Sequence, residues 1–180
     1  DRRRNALLHG RGMSLRQRKK DRTVAAIREA AARLFAERGF ADTRTRDIAE
    51  AAGIATGTLF NYAPTKEAVV LLLWKDLAAS AVEVGLAEAA QHEDRVDAVV
   101  ALFRPIFTFY DADRELGRVF LQSVMFQDAS DPELRTLNEG FVAQLAILLA
   151  PVAGQDAIVA AVNVFAAYFT ALTALLAGRL

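Results

Sequence analysis

Residues 45–66 read TRDIAEAAGIATGTLFNYAPTK, and this stretch decides the fold of the N-terminal part of the chain. Its pattern predicts two short helices, at about residues 45–52 and 56–62, with Gly53 breaking the first and Ile54 filling the turn. Helices of this length are not stable alone in water, so they must pack against longer neighbours. Two short helices joined by a glycine turn and braced by a longer first helix form a helix-turn-helix.

The rest of the chain also reads as helix. Its 180 residues include only 10 Gly and 4 Pro, and β-branched alternation is absent. Gly39 is a natural stop for the first helix, because the left-handed conformation that follows many helices suits glycine. Pro105 is expected to kink one helix, and Gly117 to split another. The helices predicted besides the two short ones cover about residues 15–38, 66–90, 95–110, 113–127, 131–149 and 156–178.

Charge is divided unevenly between the two parts of the chain. Residues 1–66 contain 15 Lys and Arg against 7 Asp and Glu, whereas residues 67–180 contain 7 against 15. The net charge of zero therefore hides a basic end and an acidic remainder, which suggests a basic surface for a partner. The alternative is a solvated basic tail on an ordinary domain, because several positive charges lie within the first 22 residues.

Composition excludes several classes of chemistry. Cysteine is absent, which rules out disulfides, thiolate metal sites and cysteine nucleophiles. The two histidines, His9 and His92, have no carboxylates at ligand spacing, so we predict no metal site. Nucleophile motifs and Gly-rich phosphate loops are also lacking, so we predict no enzymatic activity, no catalytic residues and no cofactor.

One segment is apolar enough to raise the question of a membrane. Residues 157–177, AIVAAVNVFAAYFTALTALLA, carry no charge and are long enough to cross a bilayer. Their bulky residues, however, recur at steps of four and three, as in a heptad seam between helices. A buried helix at a helix–helix interface is therefore favoured over a membrane anchor, and we expect a cytoplasmic protein.

Four motifs around the helix-turn-helix resemble those of the TetR (tetracycline repressor) family. They are IREAAARLFAERGF at residues 27–40, DIAEAAGI at 47–54, GTLF at 57–60 and KE at 66–67, in the family's order and spacing. The resemblance covers about residues 20–70 and is more specific than a bare helix-turn-helix. It implies a dimeric, ligand-responsive DNA-binding regulator, usually a repressor, whose third helix lies in the major groove.

The resemblance also implies which residues meet DNA. Arg46 takes the position of a base-contacting side chain, while Thr43 and Thr45 approach phosphate nearby. Lys66 matches a lysine that holds a backbone phosphate; the alternative is a solvated lysine. The recognition helix would face DNA with Thr56, Gly57, Thr58, Asn61 and Tyr62. The chain departs from the family pattern at Ala55, Phe60 and Ala63.

The remaining helices predict a ligand pocket and a dimer surface. Aromatic rings on successive helices can line an apolar cavity, and polar residues among them need partners, although ordinary core packing is the alternative. The pocket candidates are Trp74, Phe103, Arg104, Phe107, Tyr110, Phe120, Gln122, Phe126 and Asn163. Apolar residues at helical spacing near the C-terminus predict a four-helix dimer interface. Its candidates are Phe141, Leu145, Leu148, Phe165, Phe169, Leu172 and Leu176.

These observations predict an all-α protein. Residues 1–14 form a basic leader, residues 15–64 a helix-turn-helix DNA-binding domain, and residues 65–180 a helical ligand-binding and dimerisation bundle. The predicted partners are a palindromic double-stranded DNA operator, a small apolar or amphipathic effector and a second copy of the chain, with no membrane. The alternative is a helical membrane-anchored or protein-interaction module that does not bind DNA.

Overall fold

The computed structural model describes the backbone of residues 14–127 and 132–180, and the side chains of residues 14–125 and 139–180. Within this part of the chain every regular element is helical. The α-helices are α1 (Leu15–Asp42), α2 (Thr45–Ala51), α3 (Thr56–Phe60), α4 (Lys66–Ala89), α5 (Arg95–Ala112), α6 (Arg114–Gln127), α7 (Pro132–Ala153) and α8 (Ala157–Leu176). A 3-10 turn, Gly154–Asp156, joins α7 to α8. The predicted all-α fold is confirmed.

The first helix is the brace of the N-terminal unit. Ser14 caps it, its hydroxyl accepting a hydrogen bond of 3.2 Å from the Gln17 amide. The buried face of the helix includes Ile27 and Phe35. At Gly39 the chain bends with a φ of 74°, in the left-handed region that glycine tolerates, and helical conformation then continues to the end of α1. The predicted stop is thus a bend.

The second and third helices form the predicted helix-turn-helix. Ile48 and Leu59 are fully buried, and both belong to the core cluster that α1 and α4 share. Gly53 lies in the turn with a φ of 67°, again a left-handed conformation. Ala55 precedes α3 and offers no side-chain cap, so this five-residue helix depends on packing for its stability.

The fourth, fifth and sixth helices form the centre of the bundle. Thr65 caps α4 as predicted, its hydroxyl accepting a hydrogen bond of 3.1 Å from the Ala68 amide. α4 and α5 pack so closely at Gly85 that a Cβ atom there would overlap the Leu102 carbonyl oxygen. The split predicted at Gly117 does not occur, because this buried glycine lets α6 run uninterrupted against its neighbours.

The last two helices form a hairpin. The stretch Glu139–Leu176 has a mean hydropathy of 1.9 and is long and apolar enough, by length and composition alone, to cross a membrane. Gly154, with a φ of 55°, and the 3-10 turn divide it into two helices that pack against each other. Leu145 and Leu172 are fully buried. Core helices of soluble proteins pass the same composition test, so the stretch is weak evidence for a membrane span.

Candidate functional site

One candidate surface lies on the helix-turn-helix. It consists of Thr45 and Arg46 at the start of α2 together with the outward-facing residues of α3, and we call it the reading surface. Arg46, Gly57, Phe60 and Asn61, the last directly after α3, are exposed, and the remaining members are partly buried. The partly buried members are Thr45, Thr56, Thr58 and Tyr62. α3 itself carries no charged side chain. The reading surface therefore combines the guanidinium of Arg46 with uncharged hydrogen-bonding groups.

Arg46 is the cation of this surface. It is the second residue of α2, its side chain is exposed, and it forms no hydrogen bond or ion pair with the residues that the structure describes. Its neighbour Asp47 instead faces Arg38, with 3.5 Å between the carboxylate and the guanidinium. The five N–H donors of Arg46 are therefore available to an acceptor outside the chain, such as a base edge or a phosphate.

Phe60 is a member of the reading surface that the sequence analysis did not include. Its side chain is 46% exposed on α3, an unusual position for a large aromatic ring in so short a helix. In the sequence, Phe60 stands out only as a departure from the family pattern. Its spacing on the helix could have revealed it, since Thr56 and Phe60 are four residues apart and share a face.

Thr43 has a different role from the predicted one. Its side chain is 1% exposed, and its hydroxyl donates hydrogen bonds to the carbonyl oxygens of Leu34 (3.2 Å) and Gly39 (2.8 Å). These carbonyls stand at the bend of α1, where the regular helical hydrogen bonds are interrupted. The predicted phosphate contact of Thr43 is thus corrected: the side chain stabilises the bend.

Lys66 is likewise engaged within the protein. Its Nζ donates hydrogen bonds to the carbonyl oxygens of Phe40 (2.6 Å) and Ala41 (3.1 Å), and lies 4.2 Å from the centre of the Phe40 ring. Two of its three N–H donors satisfy carbonyls at the end of α1 that have no helical partner. In this structure the lysine ties the end of α1 to the start of α4, and its contact with a backbone phosphate stays a prediction.

A second contact joins the bend of α1 to the bundle. The Phe40 amide donates a hydrogen bond of 3.1 Å to Glu115 Oε2, at the start of α6. Further along α1, Arg28 donates to the Leu72 carbonyl at 2.7 Å and pairs with Asp76 at 2.7 Å, both on α4. The helix-turn-helix is therefore connected to two bundle helices, α4 and α6.

The other candidate site is a cavity of about 880 Å³ within the bundle. Residues from α4, α5, α6, α7 and α8 form its wall. Of the predicted pocket residues, Tyr110 and Phe120 lie in this wall. Trp74 lies just behind it, with its ring centre 4.6 Å from that of Phe109, a wall residue.

The remaining predicted pocket residues lie elsewhere. Phe103, Arg104 and Phe107 line a smaller, separate cavity of about 530 Å³. Gln122 and Asn163 are exposed on the surface, and the side chain of Phe126 lies outside the described residues. Sequence periodicity assigned these residues to the correct helices. It did not determine the rotation of each helix about its own axis, which decides the side chains that face the cavity.

Aromatic rings that the prediction assigned elsewhere also form the wall. Phe141, Phe165 and Phe169 line the cavity, although their spacing predicted a dimer interface. Tyr168 lines it too, and its ring stacks on Phe103 with 4.5 Å between ring centres. The polar hydroxyl of Tyr168 within an apolar helix was the one signal in the sequence that pointed to it.

The two wall tyrosines are strongly desolvated. Burial raises the pKa of Tyr110 far above its usual value, and Tyr110 is 6% exposed. Burial likewise raises the pKa of Tyr168, with a smaller contribution from the nearby Tyr110. Both side chains are therefore neutral phenols at physiological pH, able to donate a hydrogen bond but not to carry charge.

The predicted dimer residues are largely used inside the protomer. Leu145, Leu172 and Leu176 are at most 2% exposed in the core, and Phe141 is 9% exposed. Leu172 and Leu176 of the α8 seam thus pack inside the bundle, a correction to their predicted place between two chains, whereas Val162 of the same seam is 52% exposed. The opposite side exposes an apolar surface that we call the α7–α8 face. It contains Ile147, Val152, Val159 and Val162.

Known proteins are similar to the helix-turn-helix part of this chain and, in solved structures, to its bundle. Residues 27–73 match the family model described as bacterial regulatory proteins, tetR family. The HTH-type transcriptional repressor KstR2 of Rhodococcus jostii is 52% identical over 42 residues, which cover 23% of this chain and 21% of that protein. A protein named as the mycofactocin biosynthesis transcriptional regulator MftR, from Mycobacterium tuberculosis, is 34% identical over 116 residues, covering 61% and 57%.

A solved structure extends the similarity across the bundle. The FadR protein of Thermus thermophilus, described as a TetR-family transcriptional repressor in complex with lauroyl-CoA, is similar with a TM-score of 0.64 and 26% sequence identity. The match covers 87% of this chain and 84% of that one. By contrast, the chain matches only about a fifth and just over half of the lengths of the two curated relatives.

Proposed function

We propose that the chain is a TetR-family transcriptional repressor controlled by a small molecule, a proposal supported by the match of residues 27–73 to the tetR family model and by the similarity to Thermus thermophilus FadR. In this proposal a homodimer binds a near-palindromic operator and leaves it when an apolar or amphipathic effector fills the bundle cavity. The observation that carries the proposal is the combination of an accessible reading surface and a large apolar cavity, linked through α4 and α6.

The reading surface supports the DNA-binding half of the proposal. Short, uncharged side chains on α3 allow a close approach to base edges, and Arg46 supplies a donor fork suited to guanine. In this arrangement Thr45 approaches phosphate, while Thr56, Gly57, Thr58, Asn61 and Tyr62 face the groove. Phe60 adds an apolar contact, for instance with a thymine methyl group.

Additional positive charge precedes the helix-turn-helix unit. The first turns of α1 are exposed and project basic side chains into solvent. These side chains are Arg16, Arg18, Lys19, Lys20 and Arg22. In the proposed complex they add phosphate contacts, which are independent of sequence and weaken as salt concentration rises.

Dimerisation is proposed through the α7–α8 face. Its exposed apolar residues include Ile147, 67% exposed, and Val159, 57% exposed, on two helices that already pack as a hairpin. Two such hairpins form a four-helix interface and remove these side chains from water. A two-fold axis places the two reading surfaces on successive major grooves, about 34–36 Å apart.

The proposed response to the effector runs through α6. The later turns of this helix contribute Phe120 and Met125 to the cavity wall, and its first turn holds the bend of α1 through Glu115. Arg114 and Arg118 also donate to the last carbonyls of α8, at 3.2 and 2.6 Å. A shift of α6 on filling the cavity therefore reaches the helix-turn-helix directly.

The cavity supports an effector with an apolar body. Its volume of about 880 Å³ is large for a drug-sized ligand, and aromatic and aliphatic side chains make up most of its wall. The Thermus thermophilus FadR structure contains lauroyl-CoA. Lauroyl-CoA is therefore a reasonable first compound to test as an effector of this protein, which we propose acts in the cytoplasm.

The experiment that tests the proposed function is selection of bound DNA from a random duplex pool. We expect enrichment of one near-palindromic site with half-sites about one helical turn apart. Band-shift titration of that site with lauroyl-CoA then tests the response. Failure to enrich any sequence would contradict the proposal that the protein is a specific DNA-binding repressor.

A further inference from the structure

The wall of the bundle cavity contains two tyrosine hydroxyl groups, one on a buried and one on a partly buried residue, without a hydrogen-bond partner among the described residues. Neither Tyr110 nor Tyr168 forms a hydrogen bond with the residues that the structure describes, although both line the cavity. Their rings are held by neighbours: Tyr110 contacts Trp74 and Phe120, and Tyr168 stacks on Phe103. A desolvated polar group without a partner is costly, so two of them in one cavity point to a ligand that supplies acceptors.

Charge on the described wall limits what that ligand can be. Besides the two tyrosines, the titratable residue of the described wall is Glu139, and no described wall residue is cationic. A carboxylate there repels an anion, and an apolar cavity penalises any unpaired charge. The side chain of Glu139 is itself exposed, so its charge is solvated and holds a cation only weakly.

From this arrangement we infer that the effector carries an uncharged oxygen acceptor, such as a ketone, ester or thioester carbonyl, on an apolar body, and that Tyr110 and Tyr168 donate hydrogen bonds to it. The inference rests on the proposed function, because it takes this cavity as the effector site. The apolar wall holds the body of the molecule, and the two phenols select its polar group and fix its orientation.

The single tryptophan offers a direct measurement of binding. Trp74 lies 6.4 Å from Tyr110 and 5.8 Å from Phe120, measured between ring centres, so occupation of the cavity changes its fluorescence without any DNA present. Four probes with the same chain length separate the candidate chemistries: 2-dodecanone, dodecane, dodecanoate and dodecyltrimethylammonium. We expect 2-dodecanone to bind most tightly.

Isosteric variants test the role of the hydroxyls. Tyr110→Phe and Tyr168→Phe each remove one oxygen and keep the ring, and Tyr62→Phe, in the helix-turn-helix, is the matched control. We expect each cavity variant to weaken 2-dodecanone binding roughly two- to tenfold, the effect of one neutral hydrogen bond, and to leave dodecane binding unchanged. Circular dichroism melts confirm that all three variants are folded.

The possible results distinguish failure of the inference about the cavity from failure of the proposed function. Equal affinity for 2-dodecanone and dodecane, tighter binding of dodecanoate or of the ammonium probe, or unchanged ketone binding by both cavity variants overturns the inference. Each of these results leaves specific DNA binding intact and therefore spares the proposed function. Selective ketone binding by a protein that enriches no DNA site would support the inference about the cavity while overturning the proposed repressor.

Discussion

At the scale of single residues, the structure separates side chains that hold the helix-turn-helix together from those that face outward. Thr43 and Lys66 are both polar and both lie near the reading surface, yet their donors go to carbonyls at the end of α1. Arg46, in contrast, has an exposed guanidinium. The two groups should therefore respond differently to substitution, in DNA binding and in stability.

Replacing Arg46 with alanine is expected to weaken binding to the selected operator by about 1–3 kcal/mol and to relax specificity at one base position. The thermal midpoint should hardly change, because the side chain is exposed. Fluorescence anisotropy with a labelled operator measures the affinity. Arg179→Ala, which removes an equally exposed arginine at the end of the chain, is the control and should bind like the wild type.

Lys66→Met keeps the apolar stem but removes the donors to Phe40 and Ala41. We expect a loss of stability of about 1–3 kcal/mol, since two carbonyls lose a charged donor. Operator binding should weaken only because the end of α1 is held less firmly against α4. The slope of log affinity against log salt should therefore stay the same. A slope reduced by about one unit would instead identify Lys66 as a phosphate ligand.

At the scale of elements, α6 has contacts at both candidate sites. It lines the cavity from Phe120 to Met125, and its earlier residues Glu115 and Arg118 are hydrogen-bonded to α1 and α8. Two-state coupling between sites requires an element that both sites influence, and α6 meets this condition. α4 is the other candidate, because Lys66 and Arg28 attach it to α1.

Glu115→Ala is expected to reduce the response to effector, because it removes the acceptor for the Phe40 amide. Coupling energies between sites are typically about 1–3 kcal/mol, so the effector-induced loss of operator affinity should shrink roughly fivefold or more. Glu115→Gln retains an acceptor and serves as the matched control. Operator titrations with and without lauroyl-CoA supply the measurement, and an unchanged response in the alanine variant would rule out this contact as the link.

Close helix packing gives a second prediction at this scale. Gly85→Ala places a methyl group against the Leu102 carbonyl and should destabilise the protein by about 1–3 kcal/mol. Gly140→Ala, on α7, meets nothing within 4 Å and should stabilise the helix by about 0.5–1 kcal/mol. Urea unfolding of both variants tests the pair. Equal effects of the two substitutions would contradict the tight α4–α5 contact.

At the scale of the whole molecule, part of the apolar seam predicted for a dimer lies inside the protomer. Leu145, Leu172 and Leu176 form part of one core, while Val159 and Val162 remain outside on α8. An apolar face of this kind on paired helices is a natural interface for a second copy. It is also the surface that would decide the spacing of the two reading surfaces.

Val162→Glu is expected to shift the protein from dimer to monomer, because it places a charge in the middle of the proposed interface. Sedimentation equilibrium at micromolar concentration should show at least a tenfold weaker association. Val96→Glu, at an exposed valine on α5, is the control and should leave the dimer unchanged. Dimers of equal strength in both variants would place the interface elsewhere.

The sequence alone determined the class of the protein and the helix-turn-helix. The turn at Gly53, the cap at Thr65 and the buried Ile48 depend on neighbours within a few residues, so local patterns predict them well. The match to the family model of bacterial regulatory proteins, tetR family, covers the same local motifs, at residues 27–73.

Only the tertiary structure decided how the faces of the helices are used. α8 is apolar nearly all round, so periodicity alone could not tell the side that meets the cavity from the side left for a partner. Thr43 and Lys66 donate hydrogen bonds to carbonyls near the bend at Gly39. Tyr110 on α5 and Tyr168 on α8 line the same cavity. Apart from the hydrogen bonds of Thr43, these pairings join residues distant in sequence, and the rotation of each helix in the bundle, which sets them, follows from the packing of all the helices together.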